Sequence, residues 1–209
     1  MDHYFQEKFR GGGKKERTSG MLADGIIHLV SEGGRETLSA RKIAATTGLS
    51  VGTVYNHFDT MDNALAFVAE CIMEETAVEA AAISREVEDA AEKFTISTRF
   101  VIEKLLENPA WGKVIRDSFI KLDSIRADLG KDLMETLLLG IQQGVFRVKF
   151  SPILMIQIIE MTWTGVRFQV VFGENEAITR ETCEICLRAL GVPSDEVHKI
   201  VHRCFSGSD

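Results

Sequence analysis

Hydrophobic positions recur every three or four residues along most of this chain. Leu22, Ile26, Leu29 and Val30 stand at i, i+4, i+7 and i+8. That spacing puts them on one side of a helix running from about residue 14 to the pair Gly33-Gly34. Leu65, Val68 and Ile72 mark a second long helix over about 61–84. Further helices are predicted over 90–107, 111–126, 130–145, 153–172 and 177–190, with a short last one over 193–205. Pro109 stops the first of these, and Ser151-Pro152 starts the helix at 153, serine as cap and proline in the first turn. No stretch alternates with the period of a strand, and no repeat is visible. The expected fold class is all-α: a three-helix N-terminal head and a C-terminal helical bundle.

The densest pattern lies between Leu38 and Phe58, LSARKIAATTGLSVGTVYNHF. Two short helices are predicted there. Ser39 caps the first, with Ile43 and Ala44 inward, and Gly48 supplies a tight turn. Leu49 plugs the turn and Ser50 caps the second helix. Val54 and Phe58, four apart, point inward. Val51, Gly52, Thr53, Tyr55, Asn56 and His57 are left outward or flanking. A thin helix with small and hydroxyl-bearing outer residues fits a DNA major groove about 12 Å wide. This is the logic of a helix-turn-helix.

Segment 153–172 departs from the amphipathic pattern. Its polar residues form one stripe, Gln157, Glu160, Thr164 and Arg167, and the rest is mostly apolar. Such a helix needs cover on most sides. The bundle covers one side, and a second copy of the chain is expected to cover another. A two-fold dimer would match a palindromic operator.

Charge modifies the picture. The net charge of the 209 residues is −7. Residues 1–60 hold eight Lys/Arg and seven Asp/Glu, a balance of +1; the rest hold sixteen and twenty-four, a balance of −8. A near-neutral head on an acidic body would bind DNA through a few placed cations. Four cysteines do not make a disulfide scaffold, and the N-terminal decapeptide has no apolar core of a signal peptide, so a cytoplasmic protein is expected. The charges within 153–172 argue against a membrane span. Expected domains are a flexible arm over 1–13, a DNA-binding domain over 14–60, and a ligand-binding and dimerisation domain over 61–209.

Residues 21–69 resemble the DNA-binding head of tetracycline-repressor-like (TetR family) transcriptional regulators. The match rests on Gly25-Ile26, the run Leu38 to Ala44, the turn Thr47-Gly48-Leu49-Ser50 and the block Gly52-Thr53-Val54-Tyr55-Asn56-His57-Phe58. The run Gly140 to Arg147, GIQQGVFR, looks like a further family element. The resemblance implies that Arg41 reaches bases or phosphate, with Lys42 beside it. It implies that Val51, Gly52, Tyr55 and Asn56 lie at the groove, and that Thr53, Tyr55 and His57 hold phosphates. It also implies a small-molecule effector in the bundle and pairing through the last two long helices. The family often has a lysine three residues after the phenylalanine; here Met61 stands there, between Thr60 and Asp62. Lys14, Lys15, Arg17 or Lys42 would have to compensate.

Trp111, Phe119, Met134, Trp163 and Phe168, with Glu160 from the polar stripe, are the expected ligand contacts; the competing reading is ordinary core, and for Glu160 a solvent-facing edge. Cys183-x-x-Cys186 reads as packing before redox sensing or metal binding, since no further ligands adjoin it. No nucleophile–base pair, phosphate loop or metal quartet stands out, so neither catalysis nor a cofactor is expected. The sequence therefore reads as a ligand-responsive repressor of double-stranded operator DNA, with a hydrophobic effector. The rivals are a helical adaptor for a protein partner and, further off, an all-α enzyme.

Overall fold

A computed structural model describes residues 3–118 and 130–206. Its elements are α1 (Tyr4–Lys8), α2 (Lys14–Gly33), a 3-10 turn (Arg35–Thr37), α3 (Ala40–Thr47), α4 (Val51–His57), α5 (Met61–Ile83), α6 (Ala90–Glu107), α7 (Pro109–Asp117), α8 (Lys131–Gln142), α9 (Pro152–Phe172), α10 (Glu176–Ala189) and α11 (Ser194–Ser206). Among the described residues there is no strand, and the fold is all-α. Two compact units form. The head holds α1 to α4, α5 through Ile72, and α7; the body holds α5 from Met73, α6, and α8 to α11.

The head differs from expectation at both ends. Residues 1–13 were expected as a loose arm, yet α1 is packed with Phe5 only 1% exposed. Asp24 of α2 is the cause. Its carboxylate accepts the N–H of Phe5 at 3.0 Å and of Gln6 at 2.8 Å. These are among the donors a helix start leaves unsatisfied. Gly20, one turn earlier on α2, lets the chain approach: a Cβ there would stand 2.5 Å from the carbonyl oxygen of Phe5.

The second difference is α7. It starts at Pro109, two residues before the predicted helix, and Ser118 is already extended. The predicted continuation over 119–126 lies outside the described residues. Trp111 joins the head core, its ring 5.8 Å from Phe5 and 5.3 Å from Tyr4. Lys113 Nζ donates to the Ser31 carbonyl at the end of α2, where a cation meets the negative end of the helix.

In the body the core is built from one face each of α6, α8, α9, α10 and α11, including Phe94, Leu137, Ile158, Leu187 and Val201. Gln143 ties α8 to α6, accepting from Ala90 N–H at 3.0 Å and donating to the Glu88 carbonyl at 2.8 Å. Gly144, at φ 75°, turns the chain so that Phe146 folds back on Gly140. α9 and α10 cross closely at Gly165, where a Cβ would meet the Thr182 hydroxyl at 2.4 Å. Along α9, Met155, Ile158, Trp163 and Val166 are buried, while Ile153, Phe168, Val171 and Phe172 are half or more exposed.

Asp24→Ala should lower the stability of the head by about 3 kcal/mol, since it strands one buried and one part-buried donor of α1. Urea unfolding followed through Trp111 fluorescence, in a Trp163→Phe background, measures it. An unchanged midpoint would mean that α1 does not depend on this carboxylate.

Candidate DNA-binding face and ligand cavity

α3 and α4 are set by their caps. Ser39 Oγ accepts the Lys42 N–H at 3.2 Å, and Ser50 Oγ accepts the Thr53 N–H at 3.0 Å. Between them Gly48 is left-handed, φ 71° and ψ 10°, a conformation glycine takes at little cost. Gly25 lets α2 meet α3 closely, because a Cβ there would stand 2.4 Å from the Thr47 methyl. Ile43, Val54 and Phe58 are buried, and Phe58 packs on Phe67 with ring centroids 5.4 Å apart.

This packing turns the outer face of α4 to solvent. Tyr55 is 61% exposed, and Val51, Gly52 and Asn56 are exposed with it. Thr53 is half-buried, its hydroxyl bonded to Ser50 Oγ at 2.8 Å. His57 Nδ1 donates to the Thr53 carbonyl at 2.9 Å. The outer Nε2 can then donate to a phosphate only when the ring is charged. Arg41 and Lys42 are exposed on α3, without an ion-pair partner among the described residues. Lys14 and Lys15 are exposed at the start of α2. Near the start of α5, Asp62 pairs with Arg35 at 2.5 Å, so part of its charge is already offset. The eight residues expected to touch DNA therefore occupy two adjoining helices.

The body contains a cavity of about 470 Å³. Four helices line it: α5 from Met73 to Ala81, α6 from Lys93 to Val101, α8 from Asp132 to Leu139, and α9 from Ile158 to Trp163. Of the expected ligand residues that are described, Trp163 alone borders it. Trp111 belongs to the head. Phe119 lies outside the described residues. Met134 packs against the body core. Glu160 accepts from Arg167 at 3.0 Å in a part-buried ion pair. Phe168 is half exposed, its ring 4.5 Å from Phe172. Sequence reasoning passed over Thr98, Thr136 and Phe94. The available signal was a threonine on the buried side of each of two amphipathic helices.

Cys183 and Cys186 are fully buried in the body core. Burial raises both thiols, that of Cys186 to about 12. Cys186 also meets the Thr162 hydroxyl. Neither sulfur carries thiolate near neutrality, so the pair packs. Among the described residues no three His, Cys, Asp or Glu side chains gather as a metal site, and no helix is long and apolar enough to cross a membrane.

A glycine-turned pair of capped helices with a thin, exposed second helix defines a helix-turn-helix DNA-binding head. Residues 22–65 match the family model of bacterial regulatory proteins, tetR family, so the segment that holds α3 and α4 is similar to the DNA-binding head of those transcriptional regulators. The family is not an enzyme class. The HTH-type transcriptional regulator PksA of Bacillus subtilis is 29% identical over 92 residues, 44% of this chain and 42% of that one. The match thus spans less than half of either protein. In three dimensions the chain is similar to RolR in complex with resorcinol: TM-score 0.75 at 22% identity, over 91% of this chain and 95% of that one. It is also similar to FadR of Bacillus subtilis in complex with stearoyl-CoA: TM-score 0.55 at 18% identity, over 83% and 97%. Both similarities support the fold.

Iodoacetamide at pH 8 should leave Cys183 and Cys186 unmodified in the folded protein and label both in denaturant, as peptide mass spectrometry would show. Fast labelling of either in the native state would contradict their role as packing groups.

Proposed function

We propose that the chain is a homodimeric repressor that binds a palindromic operator through α4 and releases it when a small molecule occupies the body cavity. The observation that carries this is the outer face of α4. Val51, Gly52, Tyr55 and Asn56 are exposed together on a helix whose other side is locked into the head. Asn56 and Tyr55 supply hydrogen bonds toward base edges and phosphates, and Val51 an apolar contact for a thymine methyl. Arg41 and Lys42 flank them. Lys14 and Lys15 supply cations where Met61 does not, beside the positive start of α2.

The exposed apolar face of α9 supports dimerisation. Phe168, Val171 and Phe172 stand with Ile185 of α10 as large exposed hydrophobics, and apolar surface of this kind marks an interface. A two-fold pair of heads would engage half-sites one helical turn apart, about 34–36 Å. α5 lines the cavity and continues into the head as one helix. A ligand that prefers one course of α5 shifts the heads by its differential affinity for the two arrangements. The cavity favours a small molecule over a protein as the body's ligand. The ligand-bound neighbours hold resorcinol and stearoyl-CoA, two different chemistries on one fold. Reading DNA in this way belongs in the cytoplasm.

Fluorescence anisotropy with duplexes from upstream of the chain's own gene tests the reading at low salt. Binding to a palindrome is expected, and Tyr55→Ala should weaken it tenfold or more while the dimer persists. Unchanged affinity would remove Tyr55 from the interface. The Lys14→Ala/Lys15→Ala variant should flatten the plot of log K against log salt by about 2. An unaltered slope would leave the missing clamp uncompensated by these lysines. Phe168→Glu/Phe172→Glu should yield a monomer by light scattering; a persisting dimer would place the interface elsewhere.

A further inference from the structure

An effector cavity leaves the effector's chemistry open, and two threonines narrow it. Among the described residues six of the eight buried threonines have a side-chain partner: Thr76 donates to the Met73 carbonyl at 3.1 Å, Thr179 accepts from Gln169 Nε2 at 3.1 Å, and the other four bond back to the carbonyl four residues earlier. Thr47 does so to Ile43 at 2.8 Å, Thr95 to Ala91 at 2.7 Å, Thr162 to Ile158 at 3.0 Å and Thr182 to Ile178 at 2.8 Å. Thr98 of α6 and Thr136 of α8 do not. Each is 7% exposed and borders the cavity, and neither has a hydrogen-bond partner among the described residues. Among those residues, no side-chain N or O that is sealed from solvent lacks a partner. The two hydroxyls therefore face the open space of the cavity. A hydroxyl that faces cavity water can exchange that water for a ligand group, and a ligand that displaces the water without bonding the hydroxyl loses affinity.

The surrounding wall limits what can carry such groups. Phe94 and Trp163 supply flat apolar surfaces, with Val101 and Ile159 beside them. Among the described residues, charged side chains border the cavity as two of each sign, Arg85 and Lys93 against Asp132 and Glu135, and none of them is buried. Among the described residues no buried charge stands ready to pair with an ionic head, whose desolvation would go uncompensated.

Resting on the reading of this cavity as an effector site, we propose that it takes an uncharged, ring-bearing apolar molecule with two hydroxyl or carbonyl groups, bonded by Thr98 and Thr136. Such a ligand joins α6 to α8 across the cavity. The two bonds set its orientation, and the aromatic walls supply most of the apolar contact.

Equilibrium dialysis of the full chain against a dihydroxynaphthalene, naphthalene and naphthoate tests this, because the ring is constant while hydroxyls and charge vary. The diol is expected to bind about tenfold or more tighter than either of the others. Thr98→Val and Thr136→Val should each weaken diol binding about three- to tenfold and leave naphthalene binding unchanged. Neither variant should lower the melting temperature, since each replaces an unpartnered hydroxyl by a methyl group of similar shape. The proposal is overturned if naphthoate binds tightest, if the diol preference survives both valine variants, or if none of the three binds. Adding the diol to the operator complex separates the two readings. Threonine-dependent binding without release would overturn the effector reading and leave the ligand class standing. Release by naphthoate in preference to the diol would overturn the ligand class and leave the effector reading standing.

Discussion

A chain made almost wholly of helices must find partners for the backbone N–H groups at the start of each one, and this requirement organises the whole molecule. Local side chains meet it at many helices. Glu16 reaches Gly13, Ser39 and Ser50 cap α3 and α4, Thr60 precedes α5, Asp89 accepts twice at α6, Ser151 caps α9 and Asn175 caps α10. At two places the partner comes from far along the chain. Asp24 holds the start of α1, and Gln143 reaches the start of α6. Those two side chains do more than finish a helix: they fix one element against another.

The functional surfaces are the places where such accounts are left open to a partner. On α4 the inner residues are consumed by packing and the caps by backbone donors, which leaves Tyr55 and Asn56 facing water. In the body, Thr98 and Thr136, unlike the other buried threonines, have no side-chain partner among the described residues and leave their hydroxyls toward the cavity. On α9, Phe168, Val171 and Phe172 expose apolar area that the single chain does not cover. Operator, effector and second subunit would each complete one of these.

Local features were legible in the sequence. The bounds of α2 and α6, the caps at Ser39 and Ser50, the turn at Gly48 and the inward positions Val54 and Phe58 all follow from spacing and backbone preference, and the structure has them. Features that depend on distant partners were not. Nothing near Tyr4 announces a helix, because α1 is anchored by a carboxylate twenty residues away. Trp111 looked like a ligand contact because aromatic residues line cavities and cores alike; only its packing on Tyr4 and Phe5 assigns it to the head. Glu160 in an apolar helix left a pocket rim and a solvent-facing edge both open, and the structure pairs it with the part-buried Arg167. The cavity wall was hidden for the opposite reason. Thr98 and Thr136 are unremarkable as sequence and gain meaning from the hydrogen bonds they do not make.

The central claim is that two copies of α4 read DNA together. Selection of binding sites from a random duplex pool by the purified full chain tests it most directly. The account predicts enrichment of an inverted repeat whose half-sites are centred about one helical turn apart, or a multiple of it. Enrichment of a single asymmetric site, or of no sequence at all, would contradict it.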